Sequence, residues 1–123
     1  MQNLDQIRAK NALAAANDNR FTGANDGDIV KKVPTMIMNN GILAAAAFAN
    51  EDKGGYSDVF RVVIEHLKSV NRLPGQNTEL LGFINDLCCK DSAVLRDVTA
   101  ESIAYLSYLR RFAKKNKDAK AGN

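Results

Sequence analysis

The side chains with the clearest capacity for chemistry are the cations near the C-terminal end. Between Arg110 and Lys120, six basic residues (Arg110, Arg111, Lys114, Lys115, Lys117 and Lys120) meet one acid, Asp118. That end therefore carries +5 in a chain whose formal net charge is only +3. Positive charge gathered in this way suits an anionic partner. At about 100° per residue, Tyr105, Leu106, Leu109, Phe112 and Ala113 fall on one arc, and Arg110, Arg111, Lys114, Lys115 and Lys117 spread over the opposite one. The pattern predicts a packed helix whose outer face is a positive strip, suited to neutralising phosphates whatever their sequence. Its plain counterpart is a solvated face whose cations complement a helix C-terminus. Lys31 and Lys32, just before Val33-Pro34, form a second basic pair that a bend at the proline would aim off the surface. Arg61, Lys68 and Arg72 are weaker candidates, because Asp58 and Glu65 share their face.

The remaining reactive residues do not assemble into a catalytic set. His66 is the sole histidine, which leaves no His-based metal pair, and its place near the edge of an apolar face predicts a partly buried structural role. The two cysteines, Cys88 and Cys89, are adjacent; neighbours bridge each other only with strain, and two thiols alone make a poor metal site. A reduced, intracellular setting fits them. Glu51-Asp52 has no two-metal spacing. Gly54-Gly55-Tyr56 lacks both the lysine and the preceding strand of a phosphate cradle, and reads as a turn. The expectation is a chain that is not an enzyme and needs no cofactor, metal or small-molecule substrate.

The elements that must display these groups read as helices. With 123 residues, 46% of them hydrophobic, the chain can bury one core, and two prolines and eight glycines leave long stretches free to be helical. A first helix is predicted over 3–17 and a short one over 26–32, with a break at Val33-Pro34. Pro34 then opens a helix over 35–50, apolar nearly all round, which belongs in the middle of a bundle. Asn39-Asn40-Gly41 is the odd feature there, since amides and glycine both cost helix stability. An amphipathic helix over 58–71, capped by Ser57 or Asp58, follows, and then one ending near Cys88, capped by Asn77 or Thr78. The last region starts at Asp91, turns near Val98–Ala100 and continues from a Thr99 cap to about Lys117. No period-2 run argues for a strand. The fold expected is all-α, a single compact bundle of about five to six helices over 1–117, with 118–123 as a flexible basic tail. No signal core and no apolar stretch of about 18 residues is present, which predicts a cytoplasmic protein with no membrane partner.

Three stretches together resemble the small subunit family of type III-B CRISPR (Cmr) effector complexes. They are Ile7-Arg8-Ala9-Lys10, Val33-Pro34-Thr35-Met36-Ile37-Met38-Asn39-Asn40-Gly41-Ile42-Leu43, and Ala104-Tyr105-Leu106-Ser107-Tyr108-Leu109-Arg110-Arg111-Phe112-Ala113. The central Pro-x-x-Ile-x-x-Asn-Gly-aliphatic pattern is the most specific. The resemblance implies a prokaryotic helical bundle that stacks with copies of itself beside the backbone subunits holding the guide RNA. It also implies a role lining the channel for target RNA, with cleavage left to other subunits. In RNA-guided machines base pairing reads sequence and protein reads backbone, so non-specific lysines and arginines are what the role requires. Two alternatives stand beside it. One is the small subunit of type III-A (Csm) complexes, which the central Pro-Asn-Gly stretch disfavours. The other is a stand-alone helical DNA-binding regulator, whose candidate recognition helix after Leu73–Gln76 would be acidic and apolar, and so would repel phosphates.

Overall fold

One helix, α6 (Ser92–Ala121), supplies the surface on which much of the rest packs. The structure, a computed structural model, describes residues 2–17, 28–51 and 55–121, with position 28 and positions 114–121 described in backbone only. Asp91 caps α6, its carboxylate accepting from the Val94 N–H at 3.1 Å. The turn expected near Val98–Ala100 is absent, and Thr99 lies inside the helix. Val98, Ser102, Tyr105, Leu106, Leu109 and Ala113 form a continuous buried stripe across that point. Packing along this stripe outweighs the few tenths of a kcal/mol by which Thr and Ser disfavour a helix interior.

The preceding elements are α1 (Leu4–Ala16), α2 (Asp28–Asn40), α3 (Ile42–Glu51), α4 (Tyr56–Ser69) and α5 (Leu80–Cys88). All secondary structure among the described residues is helical, as the sequence predicts. α1 begins with a reciprocal capping box. The Asn3 side chain accepts from the Gln6 N–H and the Gln6 side chain accepts from the Asn3 N–H, both at 2.8 Å. α1 lies chiefly against α6; α2 packs on α3, α4 and α6; α5 packs on α3 and α4. α4 gives much of its surface to the core, burying Val59, Phe60, Val62, Val63, Ile64, His66 and Leu67.

The break expected at Pro34 occurs seven residues later. α2 runs through Pro34 and ends at Asn40, and Gly41 adopts φ +89°. Pro34 has no N–H to give the Val30 carbonyl four residues back, a loss of about 3 kcal/mol in an unsupported helix. Here Val30, Val33 and Ile37 are buried on one stripe spanning the proline, and that packing holds the helix together. Gly41 ends α2 by donating to the Ile37 carbonyl at 2.8 Å and starts α3 by accepting from Ala45 at 3.1 Å. Asn39 and Asn40 are consequently exposed at a helix end. α3 is less enclosed than its composition suggests. Ile42, Ala45, Ala46 and Ala49 are buried, whereas Ala44, Ala47 and Phe48 face outward, Phe48 meeting Tyr56 edge-on at 5.1 Å.

Two expected caps are also replaced. α4 starts from Gly55 in a left-handed conformation with no side-chain cap, and Asp58 instead pairs with Arg61 at 2.8 Å. It ends in a Schellman turn, with Asn71 at φ 58° and Arg72 donating to the Leu67 carbonyl at 2.8 Å. α5 starts from Glu79, while the Asn77 amide donates to Asp86 at 3.0 Å.

Candidate nucleic-acid interface

The buried stripes of α2 and α6 leave a groove at the edge of their contact. On α2, Lys31, Pro34 and Met38 recur at helical spacing, one step round from buried Val30, Val33 and Ile37. On α6, Ile103, Ser107, Arg110 and Arg111 do the same beside Leu106 and Leu109. Together these seven residues line a groove of about 410 Å³. Its apolar floor is half-buried Pro34 and Ile103 together with Met38, which is itself exposed; Lys31, Arg110 and Arg111, all three exposed, supply its charge, with no acid in the lining. None of the three cations forms an ion pair with another described residue.

Three of the six cations predicted from sequence are thus brought together. Lys32, exposed beside Lys31, does not line the groove. Lys114 and Lys115 follow on the same helix, but their side chains lie outside the described residues. Two of the three weaker cations are engaged elsewhere, Arg61 with Asp58 and Arg72 with Asp97.

A second polar cluster, not foreseen from sequence, is buried where α1, α4 and α6 meet. Arg8 grips Glu101 with two parallel bonds, Nε to Oε2 at 2.8 Å and Nη2 to Oε1 at 2.7 Å. Glu101 Oε2 also lies 2.9 Å from His66 Nε2. The Asn11 amide donates to His66 Nδ1 at 2.9 Å and to Ser69 Oγ at 2.8 Å, and the Ser69 hydroxyl donates to the His66 carbonyl at 2.8 Å. Because Nδ1 accepts, His66 is neutral and carries its proton on Nε2, pointing at Glu101. Burial holds the imidazole below its usual pKa, against the opposing pull of Glu101. Burial alone would raise the Glu101 carboxyl; the hydrogen bonds from Arg8 and then His66 outweigh it and hold the group below the usual range. Tyr105 stacks on His66 with centroids 4.3 Å apart, and burial pushes its hydroxyl pKa up.

A buried His–Glu pair resembles part of a catalytic triad, but every polar atom of this one is turned on a helical neighbour. It pins α1 to the bundle. The sequence placed His66 at the edge of an apolar face, whereas its side chain is fully enclosed. Among the described residues no group of His, Cys, Asp or Glu could hold a metal ion, and no helix is long and apolar enough to cross a membrane. Cys88 and Cys89 are exposed free thiols at the end of α5.

A family model described as CRISPR-associated protein (Cas_Cmr5) matches residues 4–116. No curated protein and no solved structure matches the chain.

Proposed function

Because the chain belongs to the CRISPR-associated Cmr5 family, the small subunits of type III-B complexes, we propose that it serves its Cmr complex as a non-catalytic scaffold that grips RNA. Copies of the chain stack beside the backbone subunits that hold the guide, in the cytoplasm of a prokaryote, and the α2–α6 groove faces the channel for target RNA. Lys31, Arg110 and Arg111 meet phosphates in the groove, and Lys32, Lys114 and Lys115 are further phosphate contacts. Pairing between guide and target carries the sequence information, so backbone recognition by the protein suffices.

The observation that supports this reading is the convergence of Lys31 with Arg110 and Arg111, from opposite ends of the sequence, on one acid-free rim. Solubilising cations have no reason to share a concave site, and among the described residues no ion pair engages any of these three. The test is a Cmr complex assembled with the Lys31→Glu, Arg110→Glu, Arg111→Glu chain. Capture of target RNA is expected to weaken at low salt. Its salt dependence should flatten by roughly 0.7 in log–log slope for each phosphate that is no longer neutralised. Unchanged capture at low salt would show the rim to be merely solvated surface.

A further inference from the structure

We infer that the α2–α6 groove takes one unpaired nucleotide, with its base on the apolar floor and its phosphates on the cationic rim, so that it holds single-stranded RNA in preference to duplex. This rests on the reading of the groove as an RNA site and adds what part of the RNA enters it.

The floor is the first reason. Met38 is 70% exposed, a large apolar side chain left in water among three cations. A strip that only neutralised phosphates would have no use for it. A thioether beside a proline ring and an isoleucine offers a polarisable, apolar surface of the kind a flat π system covers well. Stacking of bases on such platforms tolerates any sequence, because every base has a face to offer.

Size and charge are the second. The groove's 410 Å³ falls in the range that holds an organic group several rings across, well beyond what a lone phosphate fills. Lys31 stands on one wall and Arg110 and Arg111 on the other, so a base laid between them keeps its flanking phosphates near cations on both sides. The Ser107 hydroxyl lies in the lining and can donate to or accept from a base edge or ribose.

The preference for single strands follows from geometry. In an A-form duplex each base has its faces covered by neighbours and one edge by its partner, leaving the protein phosphates, ribose and minor-groove edges but no open base face. The floor is then unused. In an unpaired strand a base can turn outward, and floor and rim act together.

The experiment uses the full chain, and the assembled complex as a second setting. The probes are a single-stranded oligoribonucleotide, the same strand with abasic ribose-phosphate units of identical charge, and a duplex of equal length, followed by fluorescence anisotropy. The intact strand should bind about fivefold or more tighter than the abasic one, the low end of what one stacked base contributes. It should also bind tighter than the duplex. Met38→Ser, a change at an exposed position, should abolish the difference between intact and abasic strands while leaving salt-dependent binding of both; Met38→Leu should restore it. Equal binding of intact and abasic strands by the unaltered chain would overturn the inference while leaving phosphate recognition in place. Binding that survives charge reversal of Lys31, Arg110 and Arg111 undiminished would instead remove the RNA reading itself. If an acidic, leucine-rich peptide occupies the groove as tightly as the intact strand, it is a protein-docking site and the inference fails.

Discussion

Placing a carboxylate in a helical core costs free energy unless its charge is answered, and Glu101 is answered on both oxygens. Removing a partner would leave charge behind in a dry site, so the cluster is better understood as a set of mutually dependent groups than as separate bonds. Its pH response follows from His66. Folding lowers the imidazole pKa from its ordinary 6.5, so the unfolded chain takes up the proton first. The stability held by the neutral ring is complete above pH 6.5 and is lost as the pH falls from there toward the folded value. Glu101, also lowered from its ordinary 4.5, adds a second loss in the same direction at more acid pH. Thermal melting between about pH 7.5 and 5 is therefore expected to show a falling melting temperature, and His66→Gln should flatten that limb while leaving the more acid one. A melting temperature independent of pH down to about 5 would mean that the ring is not held neutral. The sequence showed His66 as a structural side chain on an apolar face, and no more than that. Arg8, Asn11 and Glu101 lie far from it along the chain, and nothing in local spacing brings them together.

At the scale of elements, sequence and structure agree on type and part company on boundaries. Helices are legible because apolar spacing on α4 and α6 is decided locally, whereas boundaries depend on which local penalty the core overrides. Pro34 and Thr99 are both helix-unfavourable, and both sit inside helices because buried stripes run past them on either side. Gly41 is different, since its φ of +89° is a conformation that residues other than glycine adopt at a cost whatever the packing. The two positions make opposite forecasts. Gly41→Ala should lower stability by about 1–2 kcal/mol, the penalty of a left-handed residue, although a Cβ there meets nothing within 4 Å. Pro34→Ala should be neutral or stabilising, because it restores a donor to the Val30 carbonyl. Urea unfolding of the two variants decides between a chain broken at the proline and one broken at the glycine. If Pro34→Ala were the costly change and Gly41→Ala the silent one, the boundary of α2 would lie at the proline after all.

Over the whole molecule, charge is divided by environment. The ion pair that binds α1 to α6, Arg8 with Glu101, is buried beside the neutral His66, beyond easy reach of counterions. The cations of the α2–α6 groove stand in water without ion-pair partners among the described residues. The sequence displayed the second population, because a run such as Arg110-Arg111 is visible without a fold. It could not show that Lys31 joins that run across a groove, or that the positive face is backed by an internal ionic cluster. This division means that salt should act on the two populations differently. Raising it from about 50 to about 200 mM should move the urea midpoint of the folded chain little, since buried pairs are weakly screened. Over the same range, a single strand held through three phosphates should bind roughly tenfold to twentyfold more weakly. Measured side by side, a steep fall in RNA binding with an unmoved midpoint is the expected pair of results. A midpoint that falls in step with binding would mean that the RNA-binding charges also hold the bundle together, which their exposure on the groove rim argues against.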